Sequence, residues 1–351
     1  MKAEIKFSIC VPNYNAAKYL NETIDSVLNQ TYPCYELIIS DNASTDNSID
    51  VIKSYRSKKI KLVEHNYNVG FSHNLDSATS IATGDYMIFL GADDMLKIDA
   101  LEEFAKLIEK YSKHKNGLII CGMAEIIKNK EILGTNGPKG GDIEKTLKKK
   151  GILNISNDNP LVQIYSAKEI FRILMTTNFT TPGPVQAMCY SKKLFDMVNG
   201  YHSPTVMFPD ASFGHKICLY ATDIIYYEKS LAYFRVHDSA FTADIQKIKN
   251  IKLLTDKYLL SLEFTDKQLN SAGLSRIDLQ KAFIKHWCIN TPFYFLYSGR
   301  IIRAYYYFIF GFASYPLIML RQSKMYLILS IFWLAPLFWI VGNLYRKFLK
   351  S

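Results

Sequence analysis

The stretch Gly84-Asp85-Tyr86-Met87-Ile88-Phe89-Leu90-Gly91-Ala92-Asp93-Asp94 decides how this chain is read. Its apolar run has strand length and ends in small residues followed by two adjacent carboxylates. That is the pattern of a buried strand that surfaces and delivers charge at its carboxyl end. Two like charges side by side need a reason. A hard divalent cation takes oxygen ligands and bridges phosphates, so it would hold Asp93 and Asp94 together. The plainer alternative is a helix start, because Asp suits the cap and the first turn.

Working outward, the same alternation recurs on both sides. Phe7-Ser8-Ile9-Cys10-Val11 is a short apolar run stopped by Pro12-Asn13-Tyr14-Asn15, and Leu20, Ile24, Val27 and Leu28 repeat at helical spacing before Pro33. Leu37-Ile38-Ile39-Ser40 forms a second strand and closes on Asp41-Asn42-Ala43-Ser44-Thr45-Asp46, rich in capping residues, ahead of a helix through Ile49, Ile52 and Tyr55. Ile60 to Glu64 is a third strand. Asn66-Tyr67-Asn68-Val69-Gly70 then turns into a helix over 71–82, and the opening stretch is the fourth strand. A helix over 98–111 and a strand at Leu118-Ile119-Ile120-Cys121 follow. Strands alternating with helices at this spacing predict an α/β fold, Rossmann-like, with a mostly parallel sheet covered on both faces.

In such sheets ligands sit outside the carboxyl ends of the strands. The loops there are 12–15, 41–46 and 93–94, all polar. One acid after the second strand and two after the fourth suit a nucleotide held at its base or ribose by the first and at its diphosphate, through a cation, by the second. No G-x-G-x-x-G follows the first strand and no G-x-x-x-x-G-K occurs, which sets aside dinucleotide and P-loop binding.

Size and charge bound the rest. With 351 residues the chain holds one large domain or two ordinary ones. Hydrophobic residues make up 49% and aromatic residues 14%, high for a purely soluble enzyme. The formal charge of +10 suggests nucleic acid until its placement is read: no Asp or Glu follows Asp278, and nine Lys and Arg lie beyond it. The first 278 residues therefore carry about +1. A basic excess confined to an aromatic, apolar tail points to an anionic membrane surface and away from nucleic acid. The six cysteines form no C-x-x-C pair. Reduced, mostly buried thiols in a cytosolic compartment are the expectation. Met1 to Lys6 is charged and runs into a strand, so no signal peptide is expected and the catalytic part should face the cytoplasm.

Taken in order, the segments 8–15, 41–46, Asn68-Val69-Gly70, Gly84-Asp85-Tyr86 and 90–94 resemble the signature of family 2 glycosyltransferases, nucleotide-sugar enzymes of the GT-A fold. The resemblance covers roughly residues 5–240 and implies an inverting transfer from a nucleotide-activated sugar with Mg²⁺ or Mn²⁺. It implies that Pro12, Asn13, Asn15, Asp41, Asn68, Gly70, Asp93 and Arg235 bind the nucleotide sugar. It also implies that Asp93, with Asp94 and His237, holds the metal. The sequence departs from the family pattern in that the first acid of the usual Asp-x-Asp falls at Gly91.

Later segments add to this. Gly134 to Gly141 reads as a turn-rich loop, and Lys145 to Lys150 as a solvated lysine run or a phosphate-meeting lid. The family places a Glu-Asp at the head of a helix after a glycine-containing turn, its Asp being the catalytic base. Here Pro209-Asp210 stands in that position, so the resemblance makes Asp210 the catalytic base. An attacking hydroxyl must lose its proton, which suits a carboxylate, and Asp210 also suits an N-cap. Tyr233-Phe234-Arg235-Val236-His237 resembles the Tyr-Arg-x-His element that often closes these domains, where Arg235 and His237 would meet diphosphate or metal.

Residues 241–299 turn helical, with Ile245, Ile248, Ile251, Leu254 and Tyr258 at heptad-like spacing. Residues 300–351 contain two apolar segments, 304–320 and 325–343, interrupted by Pro316 and Pro336. The second would reach roughly 28 Å as a helix, near the hydrocarbon thickness of a bilayer. Kinked or interface-lying helices anchored by Trp333, Trp339 and Tyr305 to Tyr307 fit equally well. The expectation is a GT-A domain over 1–240, a helical packing region over 241–299 and membrane-associated helices over 300–351. The donor would be a UDP-sugar or related nucleotide sugar. The acceptor would be a lipid-linked or polysaccharide precursor at the cytoplasmic face of the inner membrane, with homo-oligomers left open. The rivals are a sugar nucleotidyltransferase and a non-catalytic nucleotide-sugar-binding or partner-binding protein.

Overall fold

The computed structural model describes residues 4–111, 117–137, 143, 146–147, 155–156, 158–177, 181–201, 203, 209–238, 250–297, 300–322, 324–326 and 328. The chain divides into two compact units, one of Met1–Leu174 with Thr180–Gln246 and one of Met175–Phe179 with Lys247–Ser351. Of the helical region expected over 241–299, residues 247–299 fall in the same unit as 300–351.

The first unit opens with β1 (Phe7–Asn13), α1 (Ala17–Leu28), β2 (Tyr35–Asp41), α2 (Ser48–Ser54), β3 (Ile60–Glu64), α3 (Phe71–Ser80) and β4 (Tyr86–Phe89). A short β5 (Met95–Leu96), α4 (Ala100–Lys110), the long β6 (Leu118–Lys128) and β7 (Glu131–Asn136) follow. Then come β8 (Ile155–Ser156), β9 (Asn159–Ser166), α5 (Ala167–Thr176), β10 (Met188–Ser191), α6 (Lys192–Met197), α7 (Pro209–Tyr220) and β11 (Asp223–Arg235). The sheet order is β3-β2-β1-β4-β10-β6-β11-β9-β8, with β5 paired to β11 and β7 to β6.

The expectation of a mostly parallel sheet is corrected to a mixed one. Strands β3, β2, β1 and β4 are parallel, but β10 runs antiparallel between β4 and β6, and β9 is antiparallel to β11. A strand buried on both faces reads as an apolar run whatever its direction, so Met188 to Ser191 carries no mark of its reversal. Helix and strand residues such as Ile24, Phe104, Ile9, Ile39, Ile88 and Ile120 fill one continuous core.

Two further differences have local causes. Strand β6 continues past Cys121 because Gly122 lets it approach β11, where an added Cβ would lie 2.7 Å from Leu231. The predicted loop over 134–141 begins as a strand: residues 134–136 end β7, which returns on β6 through Asn129 and Lys130, both at positive φ. Asn there is one of the few residues that tolerate this turn. Positions 138–141 and most of the lysine run lie outside the described residues.

Beneath the sheet, Glu36 on β2 is buried and fixes β1 to the α3–β4 turn. Its carboxylate accepts hydrogen bonds from Ser8 Oγ at 2.6 Å and from Thr83 N at 2.6 Å, and pairs with Lys61 at 2.7 Å. Burial pushes its carboxyl up, but the bonds from Lys61, Ser8 and Thr83 outweigh this and hold it at about 2. A depressed folded pKa contributes stability that is complete above the unfolded value and disappears as pH falls from there through the folded one. Glu36→Gln is therefore expected to cost about 2–3 kcal/mol at neutral pH. It should also flatten the stability profile between the ordinary glutamate pKa and about 2, as read by denaturant unfolding at stepped pH.

The second unit is helical: α8 (Asn250–Leu262), α9 (Asp266–Ser271), α10 (Arg276–Phe283), a π-helical stretch Ile284–Asn290, α11 (Thr291–Tyr297), α12 (Ile301–Ser314) and α13 (Pro316–Leu320). Capping boxes at Thr265 with Gln268 and Ser275 with Asp278 start α9 and α10. Of the heptad-like residues, Leu254 is buried, while 245 and 248 lie outside the described residues. The apolar segment 304–320 is broken at Tyr315-Pro316, leaving α12 at about 21 Å by its helical rise. Among the described residues, no helix is long and apolar enough to cross a membrane. Most of the segment 325–343 lies outside them.

Candidate active site

The carboxyl ends of β1, β2 and β4 meet at one edge, since Asn13 pairs with Asp41 in register and Leu90 N–H donates to the Cys10 carbonyl at 3.0 Å. Asp41 is buried. Its carboxylate accepts hydrogen bonds from Asn13 Nδ2 and Ser44 Oγ, each at 2.6 Å, and from Ser44 N–H at 2.9 Å. Asn15, in the left-handed region at φ 50°, accepts Thr45 N–H at 2.7 Å on its side-chain oxygen and donates its own N–H to Ser44 Oγ at 2.9 Å. Pro12 lies one pair further in, opposite Ser40. Asn13, Asn15 and Asp41 thus build one cross-linked pair of loops. Asn13 Oδ1 is buried there with no hydrogen-bond partner among the described residues. An orphaned buried acceptor costs about 1–3 kcal/mol unless a ligand donor meets it.

The third loop joins the same edge. Asn68 Oδ1 accepts from Asn42 Nδ2 at 3.0 Å and from Gly70 N–H at 2.9 Å, and Gly70 sits at φ 84° ahead of α3. Asn74 on α3 donates to the Asn13 carbonyl at 3.2 Å.

At the end of β4, Asp93 and His237 come together across 144 positions of sequence, with Asp93 Oδ2 2.9 Å from His237 Nε2. Both are partly exposed. Asp94, expected beside Asp93 as a metal ligand, is buried, and its Oδ1 accepts the backbone N–H of Arg235 at 2.9 Å. Burial and the adjacent Asp93 charge push the Asp94 carboxyl well above the usual carboxylate range. Asp94 therefore serves to tie β11 to the turn. Arg235, expected at a diphosphate, is buried as well. Its Nε donates to the Asp93 carbonyl at 2.8 Å, its NH2 group pairs with Glu22, and its guanidinium lies 4.9 Å from the Tyr19 ring centre.

At Gly91 the two carboxylates fold back. An added Cβ would lie 2.8 Å from Asp93 Oδ1 and 2.9 Å from Asp94 Oδ2. Gly91→Ala is expected to displace both side chains and lower turnover roughly 10- to 100-fold, as small displacements of reacting groups do. Steady-state rates alongside an unchanged circular dichroism spectrum check this.

Sequence reasoning missed the clamp on this turn. Helix α1 carries a polar stripe beside its apolar one: Thr23 Oγ1 donates to the Ala92 and Asp94 carbonyls at 2.9 and 2.8 Å, and Ser26 Oγ accepts Leu96 N–H at 3.2 Å. Gln30 donates to the Lys97 carbonyl at 2.7 Å and accepts Leu101 N–H at 3.1 Å. The Tyr19 ring packs at a tilt against His237 with ring centres 4.3 Å apart. The helical spacing of Tyr19, Thr23, Ser26 and Gln30 was the available signal.

Asp210 occupies the first turn of α7, half-buried on a helix otherwise buried nearly all round. Phe213, one turn on, packs at a tilt against Tyr201 with ring centres 4.2 Å apart, and the Tyr201 ring lies 6.0 Å from that of Phe89, the last residue of β4. Burial pushes the Tyr201 phenol well up, and the Asp210 and Asp76 charges add to it. These contacts carry the head of α7 toward the edge where β4 ends.

Among the described residues, no group of three or more His, Cys, Asp and Glu could hold a metal. Asp93 and His237 are two donors of suitable kind. That fits an Mg²⁺ or Mn²⁺ that takes its remaining ligands from phosphate and water, not a cage made by protein alone.

A mixed sheet of this order, with nucleotide-type loops at one carboxyl edge and an acid after β4, defines a GT-A domain. Residues 8–157 match the model of Glycosyl transferase family 2. It is 32% identical over 162 residues to the UDP-Glc:alpha-D-GlcNAc-diphosphoundecaprenol beta-1,3-glucosyltransferase WfgD of Escherichia coli, covering 45% of this chain and 62% of that protein. Among solved structures, S. aureus TarS 1–349 in complex with UDP-GlcNAc aligns at a TM-score of 0.56 and 18% identity, over 86% of this chain and 79% of that one. The mannosyltransferase PcManGT of Pyrobaculum calidifontis, in complex with GDP-Man and Mn²⁺, aligns at 0.52 and 15% identity, over 99% and 84%. These structural likenesses show the fold. The chain spans 39% to 62% of the length of three curated relatives it matches.

Proposed function

We propose that this protein transfers a sugar from a nucleotide-sugar donor, a UDP-sugar or a close relative, to a hydroxyl of a lipid-linked or surface-polysaccharide precursor, inverting the anomeric centre in one displacement. The observation that carries the reading is the convergence at one sheet edge of the Asn13–Asp41–Ser44 loops with the Asp93–His237 pair. Its support includes relatives whose names specify such chemistry: WfgD is named for a UDP-Glc donor and a diphosphoundecaprenol-linked acceptor.

In this mechanism the β1 and β2 loops hold the nucleoside, with Asp41 fixing Asn13 and Ser44 in place. Asp93 and His237 would hold the divalent cation, which supplies charge neutralisation at the diphosphate when bound. Arg235 and Thr23 keep Asp93 in position through the backbone of the turn. Asp210 removes the acceptor proton as the oxygen attacks C1. The reading also places the protein at the cytoplasmic face of the inner membrane, supported by the acid-free basic tail beyond Asp278. Thermal stabilisation by a panel of nucleotide sugars, with and without Mn²⁺, tests donor binding. A metal-dependent shift with one nucleotide class is expected, and no shift with any of them contradicts the reading.

A further inference from the structure

Helix α12 is apolar on two opposite faces. Ala304, Tyr307, Phe308 and Gly311 are buried, while Ile302, Tyr305, Tyr306 and Ile309 repeat the same spacing on the exposed side. Leu317 and Leu320 of the following α13 are also exposed. Arg300, Arg303, Arg321 and Lys324 are all exposed around it, and no carboxylate follows Asp278 anywhere in the chain. A stripe of Ile, Leu and Tyr flanked by cations of one sign is complementary to a negatively charged lipid interface, where tyrosine rings rest at headgroup depth.

The same unit holds a cavity of about 510 Å³, with Leu274 and Ala282 among its apolar walls and Lys281, Lys285 and Gln322 among its polar ones. Gln322 on the cavity wall follows α13, whose Leu317 and Leu320 are exposed, by two residues. Lys281 and Lys285 lie one helical turn apart on the cavity wall, and the Ser275 hydrogen bonds, helped by the Lys281 charge, hold the Asp278 carboxyl below its ordinary value. The lining carboxylate, Asp278, has Oδ2 committed to Ser275 N–H at 2.9 Å and Ser275 Oγ at 2.6 Å.

We propose that this cavity binds the phosphate of an anionic phospholipid, with the Ile302-Tyr305-Tyr306-Ile309 stripe in the bilayer interface. The proposal rests on the membrane reading above and adds to it a headgroup site. Two lysine ammonium groups, supported by the Gln322 amide, meet the phosphate oxygens, while the apolar walls and the exposed stripe lie along the glycerol and acyl region.

The full chain, its Lys281→Gln/Lys285→Gln double variant and a charge-matched Lys58→Gln/Lys128→Gln control are sedimented with vesicles of phosphatidylcholine alone or with about one third phosphatidylglycerol, a fraction ample for a polybasic surface. Wild type and control are expected to bind the anionic vesicles. The Lys281/Lys285 variant should bind them roughly tenfold more weakly, with its melting temperature and its turnover on a soluble acceptor unchanged. Equal losses in both double variants would reduce the effect to net charge and overturn the cavity. So would millimolar inorganic phosphate, at matched ionic strength, raising the melting temperature in a Lys281/Lys285-dependent manner without any preference for anionic vesicles. Wild type binding no vesicle would overturn the membrane reading together with the headgroup site, while the transferase reading is judged separately by turnover.

Discussion

Asp210→Asn is expected to lower the transfer rate roughly 10²- to 10⁴-fold, the range removed with a positioned general base, while leaving donor affinity unchanged. An amide cannot take the acceptor proton, yet it has nearly the carboxylate's shape and still suits the start of α7. The competing role, a charge at a helix N-terminus, is worth only about 0.3–1 kcal/mol. Thermal unfolding therefore separates the two: a base gives a large fall in kcat with a small shift in Tm. Turnover unchanged by Asp210→Asn would remove Asp210 from the chemistry.

Asp93→Asn carries the second large effect. Asp93 is the acid of the β4 turn whose side chain is left partly exposed, since Asp94 is buried against the Arg235 backbone. Replacing it removes the carboxylate that would share a cation with His237, and losing that charge stabilisation should lower kcat by roughly 10²-fold or more. The metal titration of whatever activity remains should move to higher concentration. Asp93→Asn with wild-type turnover and an unmoved metal titration would contradict the role. The Asp93 carbonyl and the Thr23 bonds to Ala92 and Asp94 involve backbone atoms, so the turn itself should survive the substitution.

Much of the first unit was legible because its strands and helices announce themselves in apolar spacing. The β1 to β4 alternation, the polar loops at their ends and the Gly91-Ala92-Asp93-Asp94 turn all read directly. Strand direction did not: Met188 to Ser191 is buried along its whole length and lacks the alternation that would mark a one-sided strand. The β6–β7 hairpin was missed because Gly134 and Gly137 read as loop, whereas the turn lies earlier, at Asn129-Lys130.

The candidate site was legible as residue types and less so as partners. Asp93 and His237 were both singled out, but their 2.9 Å contact depends on β11 pairing with β5 and β6. Arg235 was expected to face ligand because a strand-end arginine is a free charge until its neighbours are known. Glu22 and the Asp93 carbonyl, far away in sequence, take that charge. Asp94 shows the same limit, since adjacency to Asp93 could not reveal that one carboxylate turns inward and the other stays at the surface.

The most direct test of transferase chemistry is product analysis after incubating the full chain with a nucleotide-sugar panel, Mn²⁺ and a lipid-diphosphate-linked saccharide acceptor. The account predicts release of a nucleoside diphosphate together with an acceptor extended by one sugar of inverted anomeric configuration. Release of pyrophosphate would mark attack at the α-phosphorus, and donor binding without any product would mark a non-catalytic protein; either result contradicts it.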